Sequence, residues 1–378
     1  MDKLKPAIVV GMNTDRHELE QDSSSLEELS LLAATAGYAT RATFIQKRDR
    51  IDPAWYIGAG NAKKVKALAL DKQAEAVLFD FELSPVQLRN LEKLLHCRIF
   101  SRTEVILDIF ERRARTREAK LQVELATLVY SLPRLRHMWP HLSRMAGGIG
   151  TRGPGEKQLE VDKRRLSRRI SKVKKDLESV EKHRRVIRKG REHRNRVALV
   201  GYTNAGKSSL LNALAHSRLF TESRLFATLD PATREVYLGE GEKALVSDTV
   251  GFIKRLPHTL IASFRSTLEE VKDADLLLHV VDVASSDARE RIEAVEGVLD
   301  EIQADGMPVV HVFNKVDSME DRDTRASLMA AFPDHVVVSA KTGEGLDRLR
   351  DRLLRYFREL RAERWAQLES VRLEKAAY

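Results

Sequence analysis

A short apolar run that empties into a glycine-bounded loop constrains this chain more than any other feature. Arg196-Val197-Ala198-Leu199-Val200 reads as a buried strand, and it leads directly into Gly201-Tyr202-Thr203-Asn204-Ala205-Gly206-Lys207-Ser208. The helical pattern Ser209 to Ala215 follows without a break. Strand, G-x-x-x-x-G-K-S and helix, in that order, is the context a phosphate-binding loop requires. Glycines let backbone N–H groups converge on phosphate oxygens, and the helix N-terminus adds positive potential there. The spacing predicts that Lys207 reaches the β- and γ-phosphates and that the Ser208 hydroxyl binds Mg²⁺.

Three later segments follow in the order a guanine-nucleotide site needs. Ala244-Leu245-Val246-Ser247 reads as a strand ending in Asp248-Thr249-Val250-Gly251. Asp248 can hold Mg²⁺ through a water, and the Gly251 N–H can reach the γ-phosphate. Val309 to Phe313 is another strand, ending in Asn314-Lys315-Val316-Asp317. The Asp317 carboxylate can accept from the paired N–H groups of guanine, while Lys315 lies along the base. Adenine has no such donor pair, so discrimination of roughly 10⁴-fold follows. His335 to Val338 leads into Ser339-Ala340-Lys341, whose backbone can touch the guanine oxygen. These segments together imply GTP and GDP as ligands and a Ras-like domain with a mixed six-stranded sheet.

The threonine that completes the Mg²⁺ site must lie between the loop and Asp248. Thr228, in Phe226-Ala227-Thr228-Leu229-Asp230, is the first candidate, with Thr233 as its rival. Lys207, Thr228 and Gly251 are the expected catalytic set. After Gly251 stands Phe252, where many GTPases carry a glutamine that orients the attacking water. A phenyl ring can neither donate to water nor accept from it in that role. Unaided turnover is therefore expected to be slow.

The first hundred residues alternate strands and helices. Ala7 to Val10, Thr40 to Ile45, Ala76 to Phe81 and Arg98 to Phe100 read as strands. Leu26 to Ala36, Ala62 to Leu70 and Val86 to Leu95 read as the helices between them. That alternation predicts a small parallel α/β sheet. Gly58-Ala59-Gly60 lacks the third glycine of a dinucleotide fingerprint, because Lys63 stands in its place, so a tight strand-to-helix turn is the reading favoured there. Arg102 to Leu132 reads as one long helix and Glu156 to Lys189 as a second. Leu159, Leu166, Ile170, Val173, Leu177, Val180 and Ile187 form an apolar seam on the second that needs a partner. Leu121, Leu125, Leu128 and Leu132 offer one, which predicts a long antiparallel helical hairpin.

That hairpin is basic. Residues 151–196 carry 18 Lys and Arg against 7 Asp and Glu, in a chain whose net charge is +9. A solvated helix face is the plain explanation, and a phosphate-rich partner the sharper one. At the tip, Gly147-Gly148-Ile149-Gly150-Thr151-Arg152-Gly153-Pro154-Gly155-Glu156 allows close backbone approach. Gly148, Arg152 and Gly153, with Arg164 and Arg165 on the helix, are the candidate RNA contacts. The lone cysteine, Cys97, excludes a disulfide framework, and no apolar stretch is long enough to span a membrane. The absence of a secretory signal points to the cytoplasm.

With those residues quoted, the chain resembles the HflX family of translational P-loop GTPases along nearly its whole length. The likeness rests on the α/β region, the Gly-Gly-Ile-Gly-Thr-Arg-Gly-Pro-Gly-Glu tip, the loop Gly201 to Ser208, and the segments around Thr228 and Asp248. It implies Mg²⁺ as cofactor and, from Asn204, a K⁺ beside the phosphates. It also implies binding to the large ribosomal subunit and its rRNA, GTP-dependent splitting of stalled ribosomes under stress, and hydrolysis that is ribosome-stimulated and releases the factor. Some members have a further C-terminal domain, for which residues 346–378 leave no room. The expected divisions are an α/β domain over 1–101, a helical arm over 102–195 with its tip at 147–156, a GTPase domain over 196–360 and a helical tail over 361–378. Two rival functions stay open: a GTPase acting on large-subunit precursors, and a nucleotide-gated protein adapter without RNA contact.

Overall fold

The computed structural model describes residues 4–13, 19–47, 50–135, 154–189, 194–215, 225–255, 257, 260, 270–318 and 329–376. Its contacts divide the chain into two compact units. The first takes Met1–Arg185 with Arg224–Leu229 and Lys254–Phe264; the second takes Val186–Ser223, Asp230–Ile253 and Arg265–Tyr378.

In the first unit, β1 (Lys5–Asn13), β2 (Tyr38–Lys47), β3 (Ala76–Phe79) and β4 (Arg98–Ser101) form a sheet in the order β2-β1-β3-β4, every pair parallel. Helices α1 (Leu19–Thr35), α2 (Ala59–Asp71) and α3 (Pro85–Leu95) make the crossovers. Ile8, Val10, Val77 and Phe79 pack with Val65 and Leu91 in one core. Gly58 is the N-cap of α2 at φ 79°, so the glycine pair there serves a helix start.

The stretch expected as one helix from Arg102 is two, α4 (Arg102–Arg113) and α5 (Arg117–Ser131). Ala114 turns extended, and the Thr116 side chain accepts from Ala119 N at 3.1 Å, capping a new helix. A threonine that can satisfy an orphan N–H competes with helix continuation at that position. Helix α6 (Pro154–Lys189) follows, with Val173 buried and Leu166, Ile170, Leu177 and Val180 half-buried along the expected seam. An ion pair between Arg169 and Glu124 ties it to α5. Gly148, Arg152 and Gly153 lie outside the described residues; Arg164 and Arg165 are exposed on α6.

One buried ionic cluster organises the strand ends of this unit. The Arg102 guanidinium donates to Asp80 Oδ1 at 2.7 Å and to Glu28, and the Ser25 hydroxyl donates to Asp80 Oδ2 at 2.5 Å. Arg102 also donates to the Lys254 carbonyl at 3.1 Å. Burying these charges is tolerable only because each has its partner.

The second unit carries a six-stranded sheet in the order β10-β9-β8-β5-β7-β6. Its strands are β5 (Asn195–Val200), β6 (Ala232–Gly239), β7 (Glu242–Asp248), β8 (Leu276–Asp282), β9 (Val309–Asn314) and β10 (His335–Val337). Only β6 runs antiparallel to its neighbour, so the mixed sheet expected from the motifs is present. Leu199, Leu211, Val246, Leu278 and Val312 form the core on one face with Leu349, Leu353 and Phe357 of α9 (Leu346–Ala376). Val281, Ile292 and Phe313 form a second cluster that draws on α8 (Ala288–Glu301). His279, His311 and His335 stand in register across β8, β9 and β10.

Candidate nucleotide site

Buried β5 ends at Val200, and α7 (Lys207–Ala215) begins six residues after Gly201, as the spacing demands. Gly206 sits at φ 94°, and a Cβ there would lie 2.2 Å from Asn314 Nδ2, so no other residue fits without displacing that amide. Lys207 is buried and donates from Nζ to the Gly201 and Tyr202 carbonyls at 2.9 and 2.8 Å. Burial pushes its pKa down to about 8, against the pull of Asp248. The ammonium thus holds the loop's own carbonyls at the mouth of the phosphate cradle. The Ser208 hydroxyl donates to Asp248 Oδ2 at 2.5 Å.

The segment after Asp248 is threaded into the loop by its backbone. Phe252 N donates to Gly201 O at 3.1 Å and Thr203 N donates to Phe252 O at 2.7 Å, a parallel bridge between Tyr202 and Phe252. Gly251 must be small, since a Cβ there would meet Thr203 Cα at 2.8 Å and Lys207 Nζ at 3.0 Å. Phe252 is 2% exposed. Its ring anchors the bridge, so this position supplies hydrophobic fixation and no polar group to a water.

The base side is equally tied together. Asn314 donates from Nδ2 to Ala205 O at 2.9 Å and accepts at Oδ1 from Ala340 N at 3.0 Å. Lys315 pairs with Asp282 at 2.6 Å. Asp317 accepts from the Ser339 hydroxyl at 2.7 Å, and that bond holds its carboxyl below the usual range. Lys341 Nζ lies 3.9 Å from the same carboxylate. A cleft of about 560 Å³ opens here, lined by Gly206, Ser209, Asn314, Lys315, Asp317 and Ala340 among others. Its acceptor carboxylate is ionised, and the flanking Lys315 alkyl chain offers an apolar shelf.

Among the predicted residues, the second unit brings together the loop Gly201 to Ser209, Asp248, Gly251, Asn314, Lys315, Asp317 and Ser339 to Lys341. Thr228 belongs to the first unit, in the segment where Phe226 and Leu229 are buried. Its rival Thr233 stands in β6 with its hydroxyl 2.9 Å from that of Ser247. Sequence reasoning missed Asp282, although a buried strand ending in Asp is a readable signal. It also missed Arg291, whose guanidinium lies 4.9 Å from the Tyr202 ring centroid, and nothing in the local sequence marked that pair.

Residues 23–111 match the model of the GTP-binding GTPase N-terminal region, residues 113–191 that of the GTP-binding GTPase middle region, and residues 196–315 that of the 50S ribosome-binding GTPase. Fold and site define a P-loop GTPase, an enzyme that binds guanine nucleotides and hydrolyses GTP to GDP and phosphate. A GTPase HflX of Caldanaerobacter subterraneus subsp. tengcongensis is 47% identical over 331 residues, covering 87% of this chain and 76% of the relative. The GTPase HflX of Escherichia coli K12 is 45% identical over 336 residues, 87% of this chain and 78% of that one. The chain belongs to the HflX family of GTPases. The crystal structure of SsGBP with GDP shares the fold, at TM-score 0.51 and 24% identity, over 94% of this chain and 99% of that one. Among the described residues, no helix is long and apolar enough to cross a membrane.

Proposed function

We propose that this GTPase binds the large ribosomal subunit in its GTP form, drives apart the subunits of stalled or idle ribosomes, and leaves on hydrolysis. The observation that carries the reading is the flank of α6. Lys163, Arg164, Arg165, Arg168, Arg169, Lys172, Lys174 and Lys175 are all exposed along it. Among the described residues only two ion pairs from this run are formed, Arg164 with Glu160 and Arg169 with Glu124. An unneutralised cationic face on a helix joined to a nucleotide switch suits a phosphate backbone. The match of residues 196–315 to a family described as 50S ribosome-binding supports the same partner.

Ser208 and Asp248 present a hydroxyl and a carboxylate oxygen close together, a hard donor set that fits Mg²⁺. We assign the ion to these two residues. Mg²⁺ would neutralise charge on the β- and γ-phosphates. Lys207 then exchanges its two carbonyl partners for phosphate oxygens, and the Gly251 N–H orients the γ-phosphate. Buried Phe252 offers the attacking water no polar partner from its own position, which supports slow turnover alone and faster turnover on the ribosome.

Sedimentation of mature ribosomes with the protein and GTP, a non-hydrolysable analogue or GDP tests the reading. Free subunits are expected with GTP and the analogue, and intact particles with GDP. Intact particles in all three reject subunit dissociation, and free subunits in all three reject its dependence on GTP.

A further inference from the structure

A second cavity, of about 540 Å³, lies in the first unit between α3, α4 and α5, far in the sequence from every nucleotide motif. Its volume is that of a small-molecule site. Its walls include Leu88 of α3, Phe100 of β4 and Leu107 of α4, an apolar lining. Its rim is acidic, with Glu92, Asp108 and Glu111 from α3 and α4. In a chain of net charge +9 such a rim runs against the overall field.

The polar groups around this cavity divide into satisfied and unsatisfied ones. Arg134 stacks on Tyr130 at 3.4 Å and pairs with Glu82 at 2.6 Å, and the Tyr130 hydroxyl donates to Glu82 at 3.0 Å. Glu104 accepts from Ser101 N at 2.7 Å as part of a capping box. Asp108 pairs through its buried Oδ2 with Arg112 at 2.9 Å. Glu92 and Glu111, in contrast, have no side-chain partner among the described residues, and Arg89 Nε is buried without an acceptor. A buried donor left unmade costs more than a satisfied one gains, so the arrangement calls for an acceptor at Arg89. The unpaired Glu92 and Glu111 carboxylates repel an anion, and a purely apolar ligand answers neither demand.

We propose that this cavity binds a small amphipathic amine. Its ammonium sits among Glu92, Asp108 and Glu111, its aromatic or branched aliphatic body against Leu88, Phe100 and Leu107, and a neutral carbonyl oxygen accepts from Arg89 Nε. Phenylalaninamide carries all three features in one molecule. N-acetylphenylalaninamide keeps the ring and the carbonyl but loses the charge.

Saturation-transfer NMR titrations of both probes against the full chain with GDP bound test the site. Phenylalaninamide is expected to bind saturably, and the acetylated probe about tenfold more weakly, since bonds to charged groups are the stronger ones. The exposed double variant Glu92→Gln/Glu111→Gln should weaken phenylalaninamide about threefold to fivefold, as rim charges do. Leu88→Trp should fill the cavity and abolish binding. An unchanged circular-dichroism spectrum and unfolding profile in each variant shows that the fold of the first unit is intact, and should Leu88→Trp fail to fold, the rim variant decides alone. Absence of saturable binding, equal binding of the two probes, or a rim variant that binds like wild type would overturn the proposal.

Discussion

The Asn314 side chain reaches 2.9 Å across to the carbonyl of Ala205, joining the end of β9 to the phosphate loop. Its oxygen accepts from Ala340 N, so one amide, 1% exposed, holds the phosphate cradle, the base-reading segment and the last loop in register. Asn314→Ala leaves a buried acceptor at Ala205 and a donor at Ala340 without partners, about 1–3 kcal/mol each. GDP affinity is expected to fall at least thirtyfold, together with a lowered unfolding midpoint. Titration with a fluorescent GDP analogue measures the first effect. Wild-type affinity in a folded variant would show that the bridge does not organise the site.

Lys207 gives the site a pH dependence of defined sign. Without nucleotide its pKa is depressed to about 8, by burial above all. Bound phosphates supply the negative partner and raise it, so above pH 8 binding takes up a proton. GDP affinity is therefore expected to be full below pH 8 and to decline above it, approaching tenfold per pH unit. Calorimetry at pH 9 in buffers of different ionisation enthalpy reads the proton uptake directly. A flat affinity between pH 7 and 9.5 contradicts this role for Lys207.

The histidines of β8 and β9 set the acid limit of the second unit. His279 is 1% exposed, and burial, then His311 and Lys207, push its pKa down to about 3; burial lowers His311 as well. The unfolded chain protonates these rings below about 6.5, whereas folded His279 stays neutral until about 3. Stability is thus complete above 6.5 and is lost as pH falls, by up to about 1.4 kcal/mol per unit for His279 alone. Urea unfolding at pH 7.5 and 5.5 measures the loss. His279→Leu should flatten the dependence, and an identical slope in that variant would reject the assignment.

Much of the nucleotide site was legible because each of its parts is local. Glycines, a lysine and a carboxylate at fixed offsets from a strand end carry their geometry with them, so the loop and the segments at Asp248, Asn314 and Ser339 could be placed from order alone. What joins those parts was not legible. The Tyr202–Phe252 bridge, the reach of Asn314 to Ala205 and the Arg291–Tyr202 stack are long-range, and local sequence spacing does not encode them. The break at Ala114 was hidden for another reason. Arg115-Thr116-Arg117 continues a helical pattern, and the break shows only in the extended Ala114 and in the capture of Ala119 N by Thr116 that starts α5. The Arg102–Asp80–Glu28 cluster likewise gathers charges that read in sequence as ordinary surface residues.

The exposed flank of α6 separates an RNA-binding arm from a merely solvated one. Arg164 and Arg165 are exposed, and among the described residues Arg164 pairs only with Glu160, one turn away. An i,i+4 pair at the surface contributes a few tenths of a kcal/mol, so Arg164→Glu/Arg165→Glu should leave folding and GDP affinity unchanged. Each phosphate neutralised by such a side chain adds about 0.7–0.9 to the slope of log affinity against log salt. Losing two contacts is then expected to lower that slope by about 1.4–1.8 and to weaken large-subunit binding at least tenfold at low salt. The gap between variant and wild type should narrow as salt rises, because counterions already screen what the arginines supplied. Pelleting assays with purified large subunits across a salt series measure both quantities. Equal slopes for the two proteins would mean that Arg164 and Arg165 touch no phosphate, which removes them as RNA contacts.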